Sequence, residues 1–307
     1  MSKTVLIAGG SGLIGSRLAE MLREKAFSVR LLTRSPRGEE QFFWNPAVGK
    51  IDDEALQGID YVINMAGAGI AEKRWTAARK REIVESRVQS ARTLRSAFER
   101  LKIRPKAYLS ASAIGYYGNS GEQKMSEANP PVGQGFMVEC CQKWEASADE
   151  IAALGIRTVK ARIGIVLAKE GGALVEFVKP LRLGIGAYFA DGQAWYSWIH
   201  RDDVCRFFIW AIENQQVEGV FNVVAPNPAR NKDLVKAIAK AMRQPAVLAP
   251  VPAFTLRLMF GEMADAVLNS NLVSSEKVRK AGFEFQFSEL SRALETIFDT
   301  RESVTNQ

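Results

Sequence analysis

The chain has 307 residues, 47% hydrophobic and 24% charged, with a net charge of +7. That composition supports one large domain, or one domain plus a smaller one, and excludes global disorder. No apolar run approaches the ~20 residues that span a bilayer, and three cysteines with a single histidine show no metal or redox spacing, which excludes a membrane span, a zinc site and a disulfide scaffold.

The predicted elements alternate. Residues 5–8 form a short apolar run suited to a strand buried on both faces. Residues 12–25 carry Leu13, Ile14, Leu18, Met21 and Leu22 at helical spacing. Residues 29–33 read as a second strand, stopped by Ser35-Pro36, and 60–64 as a third, broken by Gly67 and Gly69. A long amphipathic helix covers 75–101, a strand 107–110 leads into Ser112, a helix covers 135–154 and a strand 158–166. Such alternation predicts an α/β fold, a Rossmann-like doubly wound parallel sheet with right-handed crossovers. Beyond residue 168 the pattern loosens, with Gly171, Gly172, Gly184, Gly186 and Gly192 marking loops. A helix over 202–214, a strand over 220–224 and a helix over 231–242 follow, then a mostly helical stretch over 250–298 interrupted at Gly261 and Gly282. Residues 303–307 read as frayed. The expected organisation is a dinucleotide domain over 1–168, to which a strand and helix from 200–225 return. A smaller, mostly helical substrate-side region covers 169–307.

The strongest local signal is Gly9-Gly10-Ser11-Gly12-Leu13-Ile14-Gly15, between a buried strand and an amphipathic helix. Gly9 permits the tight turn, Gly12 lets the backbone approach a pyrophosphate, and Gly15 allows the helix to pack closely. The helix start then presents free N–H groups to phosphates. At the end of the second strand an acidic residue would select NAD. This chain instead has Arg34 followed by Ser35, and a guanidinium suits a 2′-phosphate, so the expected cofactor is NADP(H). Ala66, Gly67 and Ala68 after the third strand leave room at the sheet's carboxyl edge.

The Gly-x-x-Gly-x-x-Gly spacing resembles the extended short-chain dehydrogenase/reductase superfamily. The stretches 64–67, 110–118 (SASAIGYYG) and 198–203 (WIHRDD) occur in the order expected of it. With Arg74-Trp75-Thr76 and Ser86-Arg87, the chain is most similar to the atypical "epimerase family protein" group, which is related to nucleoside-diphosphate-sugar epimerases and has its own C-terminal helical region. That resemblance implies NADP(H) contacts from Arg34, Ser35, Ala66, Gly67, Glu82, Arg87 and Ile165. Ser11, Gly12, Leu13, Ile14, Ala68, Ser110 and Ala111 complete the expected cofactor set. It also implies an NADP-dependent oxidoreductase or epimerase acting on a sugar-nucleotide or other carbonyl substrate.

The chain departs from the superfamily's chemistry at one place. Ser112 matches the serine that holds a substrate oxygen, but the Tyr-x-x-x-Lys pair is missing. Four residues on from Tyr61, Tyr108, Tyr116, Tyr117, Tyr188 and Tyr196 stand Met65, Ser112, Ser120, Gly121, Gly192 and His200. On the expected helix the tyrosine place falls at Phe136 or Met137 and the lysine place at Cys140 or Cys141. Tyr116 or Tyr117 substitutes if one reaches the nicotinamide, and Tyr117 is carried with Ser112 as a catalytic candidate. The aromatic run 194–200 reads either as a substrate wall or as a core strand entering the next helix.

Two readings therefore stand: an enzyme with an atypical active site, or an NADP(H)-binding protein without standard catalysis, such as a redox sensor. The basic residues are spread along the chain and no nucleic-acid module occurs, so the expected partner is a small molecule, nucleotide-linked or otherwise carbonyl-bearing. The expected protein is cytoplasmic, a monomer or homodimer, with no metal.

Overall fold

The computed structural model describes residues 2–299, so the expectation for 303–307 lies outside the described residues. The first half alternates as expected, with two strands, β3 and β4, that the sequence pattern did not show: β1 (Thr4–Ala8), α1 (Leu13–Glu24), β2 (Ser28–Thr33), β3 (Gln41–Asn45), β4 (Lys50–Ile51), β5 (Tyr61–Asn64), α2 (Ala77–Leu101), β6 (Ala107–Ala113), α3 (Phe136–Ala152) and β7 (Thr158–Ile163). These strands, with β13 (Gly219–Val223), form one sheet in the order β13-β7-β6-β5-β1-β2-β3-β4, parallel except where β4 turns back on β3. Strand order reverses between β5 and β2 on either side of β1. A doubly wound sheet opens its ligand crevice at that switch point, on the carboxyl edge.

Each face of the sheet buries its own core. Val5, Ile7, Leu109 and Val159 pack with Leu18 and Leu22 of α1 and with Phe207, Phe208 and Ile212 of α5 (Arg201–Glu213). Leu6, Val62 and Tyr108 point the other way, onto Leu94 and Phe98 of α2 and Ala148 and Ile151 of α3. Alternate residues of each strand are thus apolar on both sides, which explains the unbroken apolar runs.

The second half is more structured than the glycine pattern suggested. The run 158–166 divides at Gly164, whose N–H donates to Val223 O at 3.1 Å while Ile165 N–H donates to Ser197 O at 2.9 Å. The chain there leaves the main sheet. It forms β8 (Ile165–Ala168) and β9 (Gly171–Gly172), then α4 (Ala173–Leu181) and β10 (Ile185–Phe189). Gly186 lies inside a strand, not a loop, paired with the 247–251 strand, and a Cβ there would meet Leu248 Cδ2 at 2.7 Å, which calls for glycine. β11 (Trp195–Tyr196) and β12 (Trp198–His200) precede α5, and β12 pairs with β8. After β13 come β14 (Ala229–Arg230), α6 (Asn231–Ala241), β15 (Val247–Val251), α7 (Ala253–Phe260), α8 (Asp265–Leu268), α9 (Glu276–Lys280) and α10 (Leu290–Phe298). The aromatic run 194–200 turns interior from Tyr196 on: Tyr196, Trp198, Ile199 and His200 are buried, and the His200 ring lies 3.9 Å from that of Phe287. Its second half, Trp198–His200, is a buried strand entering α5, while Ala194 and Trp195 are half-exposed.

Candidate functional site

The turn after β1 is built by steric necessity. Gly9 adopts φ +83°, and a Cβ there would sit 2.8 Å from the Met65 carbonyl at the end of β5. A Cβ on Gly15 would sit 2.2 Å from Gly9 O. The space above Gly12 is open apart from Gly9 O at 3.3 Å. Gly12 caps α1 with no side-chain hydrogen bond, and the helix has no acidic residue in its first turn. Its leading amides and the positive end of its dipole therefore face outward unneutralised. A recess of about 420 Å³ opens there, bounded by Ser11, Gly12, Leu13, Gly171 and the ion pairs Arg17–Glu20 and Arg201–Glu170. Ile14 is half-buried against the core.

The loop after β5 forms the facing lip, and α2 holds it. Asn64 gives its Nδ2 hydrogens to Ser90 Oγ and Tyr108 OH, both at 2.9 Å, and accepts from Ala66 N–H at 3.1 Å. Ala68 N–H donates to Ser86 Oγ at 2.9 Å. Arg87 Nη1 donates to Ala68 O at 3.0 Å and Ile83 O at 2.8 Å, with its guanidinium 4.8 Å over the Trp144 ring. No carboxylate pairs with Arg87 among the described residues, and burial pushes its pKa below the usual guanidinium range. A Cβ on Gly67 would meet Arg87 Cζ at 3.0 Å, so this glycine admits the cation.

On the flank, Arg34 and Ser35 are exposed at the end of β2, and Arg34 has no ion pair among the described residues. Glu82 bonds Arg79 Nη1 at 2.8 Å, and this bond, with help from Lys73 and Arg34, holds the Glu82 carboxyl below its usual range. Arg79 itself, buried, also donates to Gly69 O and, at 2.9 Å, to Glu72. The sequence reading passed over Arg79, although an arginine on the inward stripe of an amphipathic helix was a visible signal. Ile165 lies half-buried just past Gly164, one strand away from the turn.

Ser112 and Tyr117 are joined, but inward. Ser112 Oγ donates to Glu145 Oε1 at 2.7 Å. Glu145 also receives Arg162 Nε at 2.7 Å and Nη2 at 2.9 Å. Arg162 Nη1 donates to Tyr117 OH at 2.9 Å, and that hydroxyl donates to Asn222 Oδ1 at 2.7 Å. Ser112 is 2% exposed and Tyr117 0%, and burial raises the Tyr117 phenol above its usual value. Neither hydroxyl has a free path to a ligand, so the geometry gives both a positioning role. Ser110 Oγ is likewise turned in, onto Ala111 O at 3.0 Å, and both residues are buried.

Glu145 and Arg162 were also missed, yet a glutamate on the core face of α3 and an arginine inside the apolar strand β7 are the mark of a buried pair. Tyr116 differs from its neighbour. It is half-buried, its ring lies 3.4 Å from Arg162 Cζ, and its hydroxyl has no partner among the described residues. Burial raises the Cys140 and Cys141 thiols, so neither supplies a thiolate in the lysine's place.

Comparison with known proteins agrees with this architecture. Residues 5–224 match the family model "NAD dependent epimerase/dehydratase family", and 251–297 match a "Domain of unknown function (DUF1731)". An epimerase family protein of Mycobacterium leprae is 34% identical, covering 94% of each chain. One from Staphylococcus aureus is 35% identical over 96% of this chain and 99% of its own. The crystal structure of human epimerase family protein SDR39U1 (isoform 2) with NADPH superposes with a TM-score of 0.86 at 29% identity, over 97% of this chain and 99% of that one.

Proposed function

Since the chain belongs to the NAD dependent epimerase/dehydratase family, we propose that it is a cytoplasmic NADP(H)-binding oxidoreductase or epimerase acting on a small carbonyl substrate. The observation that carries the cofactor reading is the start of α1, uncapped, free of carboxylate in its first turn and open above Gly12. A diphosphate fits that cradle, held by the amides following Gly12. Arg34, exposed and without an ion pair among the described residues, suits a 2′-phosphate, and the human relative with NADPH supports the phosphorylated form. Arg87 supplies a second cation on the facing lip.

When bound, the nicotinamide would supply hydride exchange with a carbonyl or carbinol carbon. The chain's own part is to bind, orient and move a proton. Tyr116, with its hydroxyl unengaged at the carboxyl edge of β6, is the proton-transfer candidate at the substrate oxygen. Arg162 lies against its ring and, through Glu145, Ser112 and Tyr117, keeps that floor rigid. The three cysteines are buried free thiols, which fits a reducing compartment.

A second reading, NADP(H) binding without standard catalysis, is favoured by the inward commitment of Ser112 and Tyr117. Titration calorimetry of cofactor-free protein tests the common premise. The expected result is NADPH binding at least about tenfold tighter than NADH, a difference of about 1.4 kcal/mol. No heat with either coenzyme would sink both readings. NADPH consumption across a carbonyl panel then separates them, since the binding protein consumes none.

A further inference from the structure

A second recess, of about 440 Å³, opens at the β13 end of the sheet, lined by Lys124, Pro226, Ser275, Glu276, Arg279 and Lys280. It shares no lining residue with the recess at the start of α1. Four strand spacings, about 19 Å of sheet, separate β13 from β1.

The walls are held in place by hydrogen bonds from three parts of the chain. Met125 N–H donates to Leu272 O and Ser274 N–H to Met125 O, both at 2.8 Å, which sets Lys124 beside the start of α9. Asn222 Nδ2 donates to Ser274 O at 3.1 Å, and Lys277 Nζ donates to Val220 O at 2.6 Å, so α9 lies fixed along β13. Val278 is buried beneath it.

Three cations line this recess against one carboxylate. Glu276 takes Lys280 Nζ at 2.6 Å, whereas the Lys124 and Arg279 side chains have no ion pair or hydrogen bond among the described residues. The Glu276 carboxyl is held below its usual range, by Lys280 first and by Lys124 and Arg279 in addition, so all three charges act on one spot. Two of them are left uncompensated, which favours an anion there. Ser275 adds a neutral group. It is 5% exposed, and what is open of it opens on the recess it lines. Its hydroxyl caps nothing and has no hydrogen-bond partner among the described residues. A serine so buried ordinarily has one. Ser274 beside it does, since its Oγ accepts the Glu276 N–H at 3.2 Å.

Two unpaired positive charges match a dianion, and a monocarboxylate answers only one of them. A phosphate monoester carries close to two charges and presents three terminal oxygens, one each for an ammonium, a guanidinium and a hydroxyl. The recess has the size of a small-molecule site and is roomier than a bare phosphate requires. Pro226 offers an apolar surface to the rest of such an ester.

We propose that the recess between Lys124, Ser275 and Arg279 is a second ligand site, which takes the phosphate monoester group of a small molecule. It stands independently of the dinucleotide reading.

The test is calorimetric titration of the full-length protein with glycerol 3-phosphate, and separately with inorganic phosphate, both with and without excess NADP+. The expected result is one saturable site per chain for the ester, unaffected by NADP+. Arg279→Ala and Lys124→Ala should each weaken it about tenfold, and Ser275→Ala a few-fold, with no internal bond broken by any of them. Glu276→Gln frees Lys280 and should tighten binding about threefold, a gain that a damaged fold cannot give. Lys50→Ala, which removes an exposed charge on β4 at the far end of the sheet, should change nothing. No saturation by about 10 mM ester overturns the proposal. So does an equal loss in Lys50→Ala and Arg279→Ala, which would reduce the effect to net charge. Loss of the ester in excess NADP+ would assign it to the recess at α1, and inorganic phosphate binding about tenfold more tightly than the ester would refute the monoester. If NADP+ itself does not bind, the dinucleotide reading falls alone, and the same variants still decide this site.

Discussion

Arg162 sets its Nε and Nη2 2.7 and 2.9 Å from the two oxygens of Glu145, a bidentate pair in which neither residue is more than 6% exposed. Burial opposes the guanidinium's charge, and the Glu145 bonds more than restore it, so the Arg162 pKa is raised. Removing one partner leaves the other charge buried without compensation, which costs about 3–5 kcal/mol. Glu145→Gln should therefore lower the unfolding free energy read from urea denaturation by that order, with a clear fall in midpoint. Glu145→Gln combined with Arg162→Met should recover part of the loss in the same measurement. Equal losses in the single and double variants would show that the pair's charge is not what matters.

Two glycines of the same turn should fail differently. At Gly15 a Cβ meets Gly9 O at 2.2 Å and Gly10 Cα at 2.8 Å, all rigid backbone, so Gly15→Ala should disturb the packing of α1 on β1 and cost stability. At Gly12 the only neighbour is Gly9 O at 3.3 Å, so Gly12→Ala should leave the melting temperature nearly unchanged and weaken NADPH binding. Melting curves and calorimetry on the two variants check this. A Gly12→Ala protein that binds NADPH normally contradicts a diphosphate at that spot.

Much of this was legible from local pattern. The strand–turn–helix around Gly9 to Gly15 is specified within a dozen residues, because periodicity and glycine sterics act locally. The elements of the second half were harder. Ala173–Leu181 forms a helix although two glycines precede it, and Ile185–Phe189 forms a strand through Gly186 by pairing with Val247–Val251, far along the chain. Ser112 shows the same limit at the site. Its place at the end of β6 was readable, but the direction of its hydroxyl depends on Glu145, thirty-three residues away. A tyrosine pair side by side gives no hint which ring turns inward. Asn222 and Arg162, on β13 and β7, decide that for Tyr117.

That difference between neighbouring tyrosines predicts different kinetics. Tyr116→Phe removes only an unengaged hydroxyl, so the fold should hold, while turnover on an accepted carbonyl substrate should fall about 10²–10⁴-fold if Tyr116 transfers the proton. Tyr117→Phe removes the hydroxyl that bonds both Arg162 and Asn222 inside the core, and should cost stability, about 1–3 kcal/mol. Chemical denaturation and steady-state rates measured on both variants separate the roles. Loss of stability in Tyr116→Phe, or retained turnover, would remove it as the proton donor.

Cofactor choice should follow one side chain. Arg34 has no ion pair among the described residues, so replacing it removes only its weak long-range attraction to Glu82. A charge-assisted bond to a phosphate contributes about 1.5–3 kcal/mol. Arg34→Ala should therefore weaken NADPH by about tenfold or more and leave NADH affinity nearly as it was, read by calorimetry with each coenzyme. An equal loss for both would place Arg34 elsewhere than at the 2′-phosphate.

The chain's one histidine should make stability depend on acid. His200 is buried against Phe287, and its Nδ1 accepts the Asp202 N–H at 3.1 Å, capping α5. Burial lowers its pKa from 6.5 to about 4. Between those values the unfolded chain binds a proton that the folded chain refuses, so stability is full above pH 6.5 and is lost as the pH falls toward 4. The loss from this group between pH 7 and 4.5 is on the order of 2 kcal/mol. Asp203, whose carboxyl burial raises, works in the opposite sense, so the comparison must be made against a His200 variant. His200→Asn keeps an acceptor for the cap and cannot titrate. Its melting temperature at pH 7 should drop through loss of the Phe287 contact, while its decline from pH 7 to 4.5 should be shallower than that of the unmodified protein. Parallel declines in the two proteins would mean that the imidazole reaches water and protonates in the folded state.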